Sequence, residues 1–118
     1  MPYNSGVNRV LLLGSITDDP YWEVIEGEQM LCFRLSTVEN LKRGDIVQEH
    51  IEWHNIKMPL EMARNAAELK TGEQVFIQGK VQTRVVFEDG VKLYRCEILA
   101  TSISGAGTEI EYIAASGK

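Results

Sequence analysis

The chain has 118 residues, 44% of them hydrophobic and 25% charged, which is the length and balance of one globular domain. That composition excludes a disordered, collagen-like or coiled-coil chain as a description of the whole. The formal charge is −5, from 12 Lys and Arg against 17 Asp and Glu; on that sum a nucleic-acid partner is disfavoured, because such domains usually carry excess base. The sum conceals a pattern. Asp18, Asp19, Glu23, Glu26 and Glu28 share a stretch without Lys or Arg, and without them acids and bases balance.

Alternation of apolar and polar residues with period two runs through most of the chain. Val7 to Ile16 reads as a strand rich in Val and Leu, interrupted at Gly14. Asp18-Asp19-Pro20 is a turn, since Pro fixes φ and Asp tolerates turn geometry. Tyr21 to Ile25 is a short extended piece closed by Glu26-Gly27-Glu28. Met30 to Val38 is a second strand, and Glu39 to Gly44, with its Asn, Lys, Arg and Gly, a loop. Ile46 to Met58 is a third long strand, with Ile51, Trp53 and Asn55 on one face and Glu52, His54 and Ile56 on the other. The period then changes. Pro59 suits the first position of a helix, helical spacing continues to Leu69, and Thr71-Gly72 ends it. Glu73 to Phe87 and Val91 to Ile103 are strands around a hairpin turn at Asp89-Gly90. This order predicts an all-β fold, a five-stranded OB barrel with one short helix between strands 3 and 4; a small β-sandwich with a stray helix is the other architecture it permits. The barrel domain is expected over residues 5–104, with 105–118 a short C-terminal tail.

Catalysis finds little support. Gly79-Lys80 is followed by Val81 and lies inside a strand, so it is no phosphate loop. His50, Glu52 and His54 alternate onto one strand face, but four residues of strand separate the histidines by about 13 Å, too far to share an ion. Cys32 and Cys96 form no CxxC pair and read as two buried free thiols in a reducing compartment. No enzyme activity, metal or other cofactor is expected. Residues 1–8 lack the apolar core of a secretory signal, and no apolar run reaches membrane-spanning length, so a cytoplasmic protein without membrane contact is expected.

A binding surface remains. Single-stranded nucleic acid is held by aromatic faces that stack on bases, among cations that follow the phosphates. Trp53 lies mid-strand on a face with Asn55 and Lys57; Arg34 is on the second strand, and Lys42-Arg43 near a loop tip. Arg84 and Phe87 approach the Asp89-Gly90 turn, with Lys92 and Arg95 on the returning strand. The residues alone also allow Trp53 to be a core aromatic and the charges a solvated surface. Tyr21 and Trp22 sit in the acidic stretch, where a phosphate backbone is repelled, so packing or a protein contact is expected of that pair.

Gly6-Val7-Asn8-Arg9-Val10-Leu11-Leu12-Leu13-Gly14, Asp19-Pro20, Glu52-Trp53-His54-Asn55-Ile56 and the run from Gly72 to Arg84 resemble the bacterial single-stranded DNA-binding proteins, in order and spacing, across about residues 5–104. The resemblance implies an OB fold, a homo-oligomer (a tetramer, or a dimer), and binding of single-stranded DNA without sequence preference in replication, repair and recombination. It assigns Trp53 to a base-stacking position, Arg84 and Arg9 to basic positions beside the DNA, and His54 to the subunit interface. Arg34, Lys42, Arg43, Lys57 and Phe87 complete the candidate nucleic-acid-binding set.

The departures from the family pattern are specific. Leu41, Pro59 and Val86 or Phe87 stand where the family has stacking aromatics; of these only Phe87 can substitute. Glu23 and Glu61 replace basic residues, as do Asn55 and Gln82. A stacked base is worth about 1–3 kcal/mol, so losing two platforms removes roughly 2–6 kcal/mol. The chain ends in Ser116-Gly117-Lys118, without the acidic, apolar-tipped peptide by which the family recruits repair proteins, so that recruitment is not expected. The competing expectation is an oligomeric OB module for protein interaction, with weak or lost DNA binding.

Overall fold

In the computed structural model, which describes residues 5–63 and 69–105, strands β1 (Val10–Ile16), β2 (Tyr21–Ile25), β3 (Glu28–Arg43) and β4 (Ile46–Pro59) precede helix α1 (Leu60–Ala63). Strands β5 (Gln74–Glu88) and β6 (Val91–Gly105) follow it. The order across the sheet is β1-β5-β6-β4-β3-β2, and a further β1–β3 pairing closes a barrel of five strands from which β2 is left out. Omitting β2, the helix falls between the third and fourth barrel strands. This is the OB layout expected from the sequence, and the sandwich alternative is excluded.

One edge of β3 makes closure possible. Its first residues pair with β2, Glu28 opposite Ile25 through Cys32 opposite Tyr21, and further along the same strand Leu35 and Ser36 pair with Ile16 and Ser15 of β1. Gly14 lies next to this crossing; a Cβ there would stand 2.1 Å from the Ser36 carbonyl oxygen, so only glycine lets the two backbones meet. Alternate residues point inward to a core of Ile16, Phe33, Leu35, Ile56, Met58, Val75 and Ile77, all at most 2% exposed. Full burial of each large side chain contributes about 1.5–3 kcal/mol. Met62 and Leu69 close one end of this core.

Several expectations need correction. The first strand starts at Val10, not Val7; ahead of it the Asn8 side chain exchanges two hydrogen bonds with the Val81 backbone, at 2.7 and 3.0 Å, extending the β1–β5 ladder by a side chain. The stretch Glu39 to Arg43 is strand, not loop. It is paired with β4 through Arg43 opposite Ile46, because Gly44, at φ 64°, supplies a two-residue turn. Pro59 ends β4 opposite Met30 rather than opening the helix, which starts at Leu60. The part of the expected helix over 64–68 and the tail over 106–118 lie outside the described residues. Cys96 is exposed, not buried; it lies where the β5–β6 hairpin extends past the barrel wall. Among the described residues no helix is long and apolar enough to cross a membrane.

Candidate nucleic-acid interface

Residues directly opposite each other in antiparallel strands share a face, so the register decides which candidates meet. On the outer face of the β3–β4 pair, Trp53 lies opposite Ser36, Asn55 opposite Arg34, Lys57 opposite Cys32, and Lys42 farther along, opposite Val47. Trp53 is 56% exposed, which excludes its reading as a core aromatic. Arg43 pairs with Ile46 on the other face. That face also carries His54, whose Nε2 is 2.9 Å from Thr37 Oγ1, and His50, whose Nε2 is 2.8 Å from Glu52 Oε2.

The β5–β6 hairpin divides by the same rule. Arg84 lies opposite Arg95 and shares their face with Glu97, one ladder step of two residues away. Phe87 lies opposite Lys92 on the reverse face, beside Tyr94, over whose ring the Lys92 ammonium sits at 5.4 Å. Phe87 is 69% exposed but points away from Arg84. Arg9 is exposed just ahead of β1, a strand that does not pair with β4. The fold therefore gathers Arg34, Trp53, Lys57 and Arg84, with Lys42 along the same wall, and separates Arg9, Arg43 and Phe87 from them.

Glu97 organises the gathered cations. It points outward from the barrel wall yet is 2% exposed, because Arg84 and Lys57 cover it. Arg84 Nε donates to both Glu97 oxygens at 3.2 and 3.1 Å, and Nη2 donates to Oε2 at 2.7 Å. Hydrogen bonding to Glu97 pushes the Arg84 pKa above its ordinary value, so the guanidinium is a fixed positive charge. Lys57 Nζ lies 4.0 Å from Glu97 and 3.6 Å from Glu23. Arg34 is paired with Asp18 at 2.9 Å, and Arg95 with Glu88. Every cation on the central part of this face is matched by a carboxylate, whereas Arg9, Lys42 and Arg43 make no ion pair among the described residues. A polar groove of about 290 Å3 opens between β2 and the β5–β6 hairpin, lined by Tyr21, Asn55, the cations Lys57, Arg84 and Arg95 and their partner carboxylates Glu23, Glu97 and Glu88.

Sequence reasoning missed Glu97, Asp18 and Glu88 as counter-ions, and it missed Tyr21 as a resident of this face. Glu97 carries a faint signal as the one acid directly before the apolar run Ile98-Leu99-Ala100. The others depend on pairings between strands that the sequence does not display.

Over 109 residues the chain is 35% identical to "Single-stranded DNA-binding protein 1" of Chlorobaculum tepidum, covering 88% of this chain and 67% of that one. The fold is shared with the small single-stranded DNA-binding protein of Streptomyces coelicolor, at a TM-score of 0.64 and 19% identity over 84% of this chain and 94% of that one. It is shared also with the Plasmodium falciparum SSB solved in complex with ssDNA, at 0.69 and 20% over 83% and 89%. The model of the single-strand binding protein family matches residues 7–105, nearly the whole of the described chain. On that match and the 35% identity, the chain belongs to the single-strand binding protein family.

Proposed function

We propose that the chain binds single-stranded DNA, without sequence preference and without catalysis, on the outer face formed by β3, β4 and the β5–β6 hairpin. The observation that carries this is an exposed tryptophan, Trp53, standing among Arg34, Lys57 and Arg84 in a member of this family. Trp53 stacks on bases and the cations follow the phosphates. The charge of −5 is no obstacle, because phosphates meet the local field at each position rather than the net charge. Family membership supports a cytoplasmic role in replication, repair and recombination. Exposed Leu11 and Leu13 on β1, whose edge away from β5 pairs among the described residues at Ser15 and Ile16 alone, support assembly into a dimer or tetramer, to be checked by mass in solution.

Titration with oligo-dT at low salt tests the reading. Binding is expected to quench tryptophan fluorescence, and Trp53→Ala to weaken affinity roughly 5- to 150-fold. Absence of binding at micromolar concentrations overturns it. The internal ion pairs of Arg34, Lys57 and Arg84 favour one alternative, a protein-interaction module. Capture of a partner protein that is lost on neutralising Glu23, Glu26 and Glu28, without DNA binding, identifies that case.

A further inference from the structure

We infer that Tyr21 is a second base-stacking platform of this interface, placed at the groove between β2 and the β5–β6 hairpin; the inference rests on the DNA-binding reading above. Sequence position argues against it, since Tyr21 stands in the acidic stretch beside Trp22, but the register separates the two aromatics. Tyr21 lies opposite Cys32, and Cys32 opposite Lys57, so the three side chains form one row on the outer face that carries Trp53. Trp22 lies opposite the inward-pointing Leu31 and borders a different depression, with Leu69 and Lys70.

The repulsion anticipated from the acidic stretch is also absent where it matters. Glu23 is held 3.6 Å from Lys57, and Asp18 is paired with Arg34, so the carboxylates nearest this row are already matched by cations. Tyr21 is 54% exposed and, among the described residues, forms no hydrogen bond or ion pair, so its ring stands at the rim of the groove. The groove measures about 290 Å3, the lower end of ligand-pocket size, and suits one planar group rather than an extended ligand. Its other walls present Asn55, Arg84 and Arg95, hydrogen-bonding and cationic groups of the kind that flank a stacked nucleotide, and the carboxylates that also line it, Glu23, Glu88 and Glu97, are each ion-paired with Lys57, Arg95 and Arg84 respectively. Trp53 lies four residues along β4 from Lys57, about 13 Å, and Tyr21 two strands across, about 10 Å, so the two rings are spaced for bases of one strand crossing the sheet diagonally.

The test compares wild type, Tyr21→Phe, Tyr21→Ala and Trp22→Ala by oligo-dT titration at two salt concentrations, with folding checked by circular dichroism. Tyr21→Phe is expected to retain affinity, because the stacking ring is kept, and Tyr21→Ala to lose roughly 5- to 150-fold with an unchanged salt slope, because no phosphate contact is removed. Photo-crosslinking of wild type to a 5-iodouracil oligonucleotide is expected to label the peptide at Tyr21, which keeps the test decisive if an alanine variant fails to fold. Wild-type binding with Tyr21→Ala indistinguishable from it, or crosslinks confined to other strands, overturns this inference and leaves DNA binding intact. Failure of wild type itself to bind overturns the DNA-binding reading.

Discussion

Arg84 grips the buried carboxylate of Glu97 through three hydrogen bonds, the shortest 2.7 Å, so the most strongly fixed cation of the candidate interface is also its most fully neutralised. Removing one member of a buried pair leaves an unmatched charge, at a cost of roughly 3–5 kcal/mol. Glu97→Gln strands Lys57, itself buried, with only the half-exposed Glu23 as counter-ion. Urea denaturation is expected to show a loss of about 3 kcal/mol; a loss below about 1 kcal/mol contradicts the role assigned to Glu97.

The same pairing predicts a shallow salt dependence. For single strands log K falls by about 0.7 per phosphate neutralised for each unit of log salt, so the four cations of this wall, Arg34, Lys42, Lys57 and Arg84, acting freely give a slope of about −3, whereas Lys42 alone, the one of them in no ion pair among the described residues, gives about −0.7. Asp18→Asn releases Arg34 from a half-exposed ion pair worth about 0.2–1 kcal/mol. Affinity for oligo-dT is expected to rise up to about 5-fold and the slope to steepen by about 0.7. Unchanged affinity and slope contradict competition between Asp18 and phosphate.

Barrel closure is expected to fail at a single added methyl group. In Gly14→Ala the new Cβ meets the Ser36 backbone, which cannot rotate away, and overpacking of this kind costs about 1–3 kcal/mol or more. The melting temperature should fall by about 4–8 °C for each kcal/mol. Gly6→Ala, with nothing within 4 Å of the added carbon, serves as the control and should melt as wild type.

The two thiols should react at different rates. Cys32 is 1% exposed and burial pushes its pKa up, so it stays a protonated, shielded thiol; Cys96 is exposed. A disulfide reagent is expected to modify one thiol per native chain promptly and the second only on unfolding. Raising the pH from 7 to 9 should still leave Cys32 protected, because burial holds its thiol protonated. Two fast thiols in the native chain contradict the burial of Cys32.

Local pattern carries much of this protein in its sequence. Alternation located the strands of the barrel wall, Asp89-Gly90 marked its hairpin, and the faces of β4 were readable residue by residue because side chains alternate strictly along a strand. Family motifs supplied the fold, and Trp53 as the leading candidate. Polar composition points to a loop over Glu39 to Arg43, yet the stretch is strand, since an antiparallel ladder extends to any residue whose turn geometry allows it, and Gly44 allows it here. What the sequence could not determine is which residue lies across from which. Tyr21 shares a face with Lys57 only because the strand registers place them so; Arg34, Lys57 and Arg84 lose their free charge only because Asp18, Glu23 and Glu97 arrive beside them from elsewhere in the chain. Electrostatic attraction falls with distance, and distances between strands exist only once the barrel has closed.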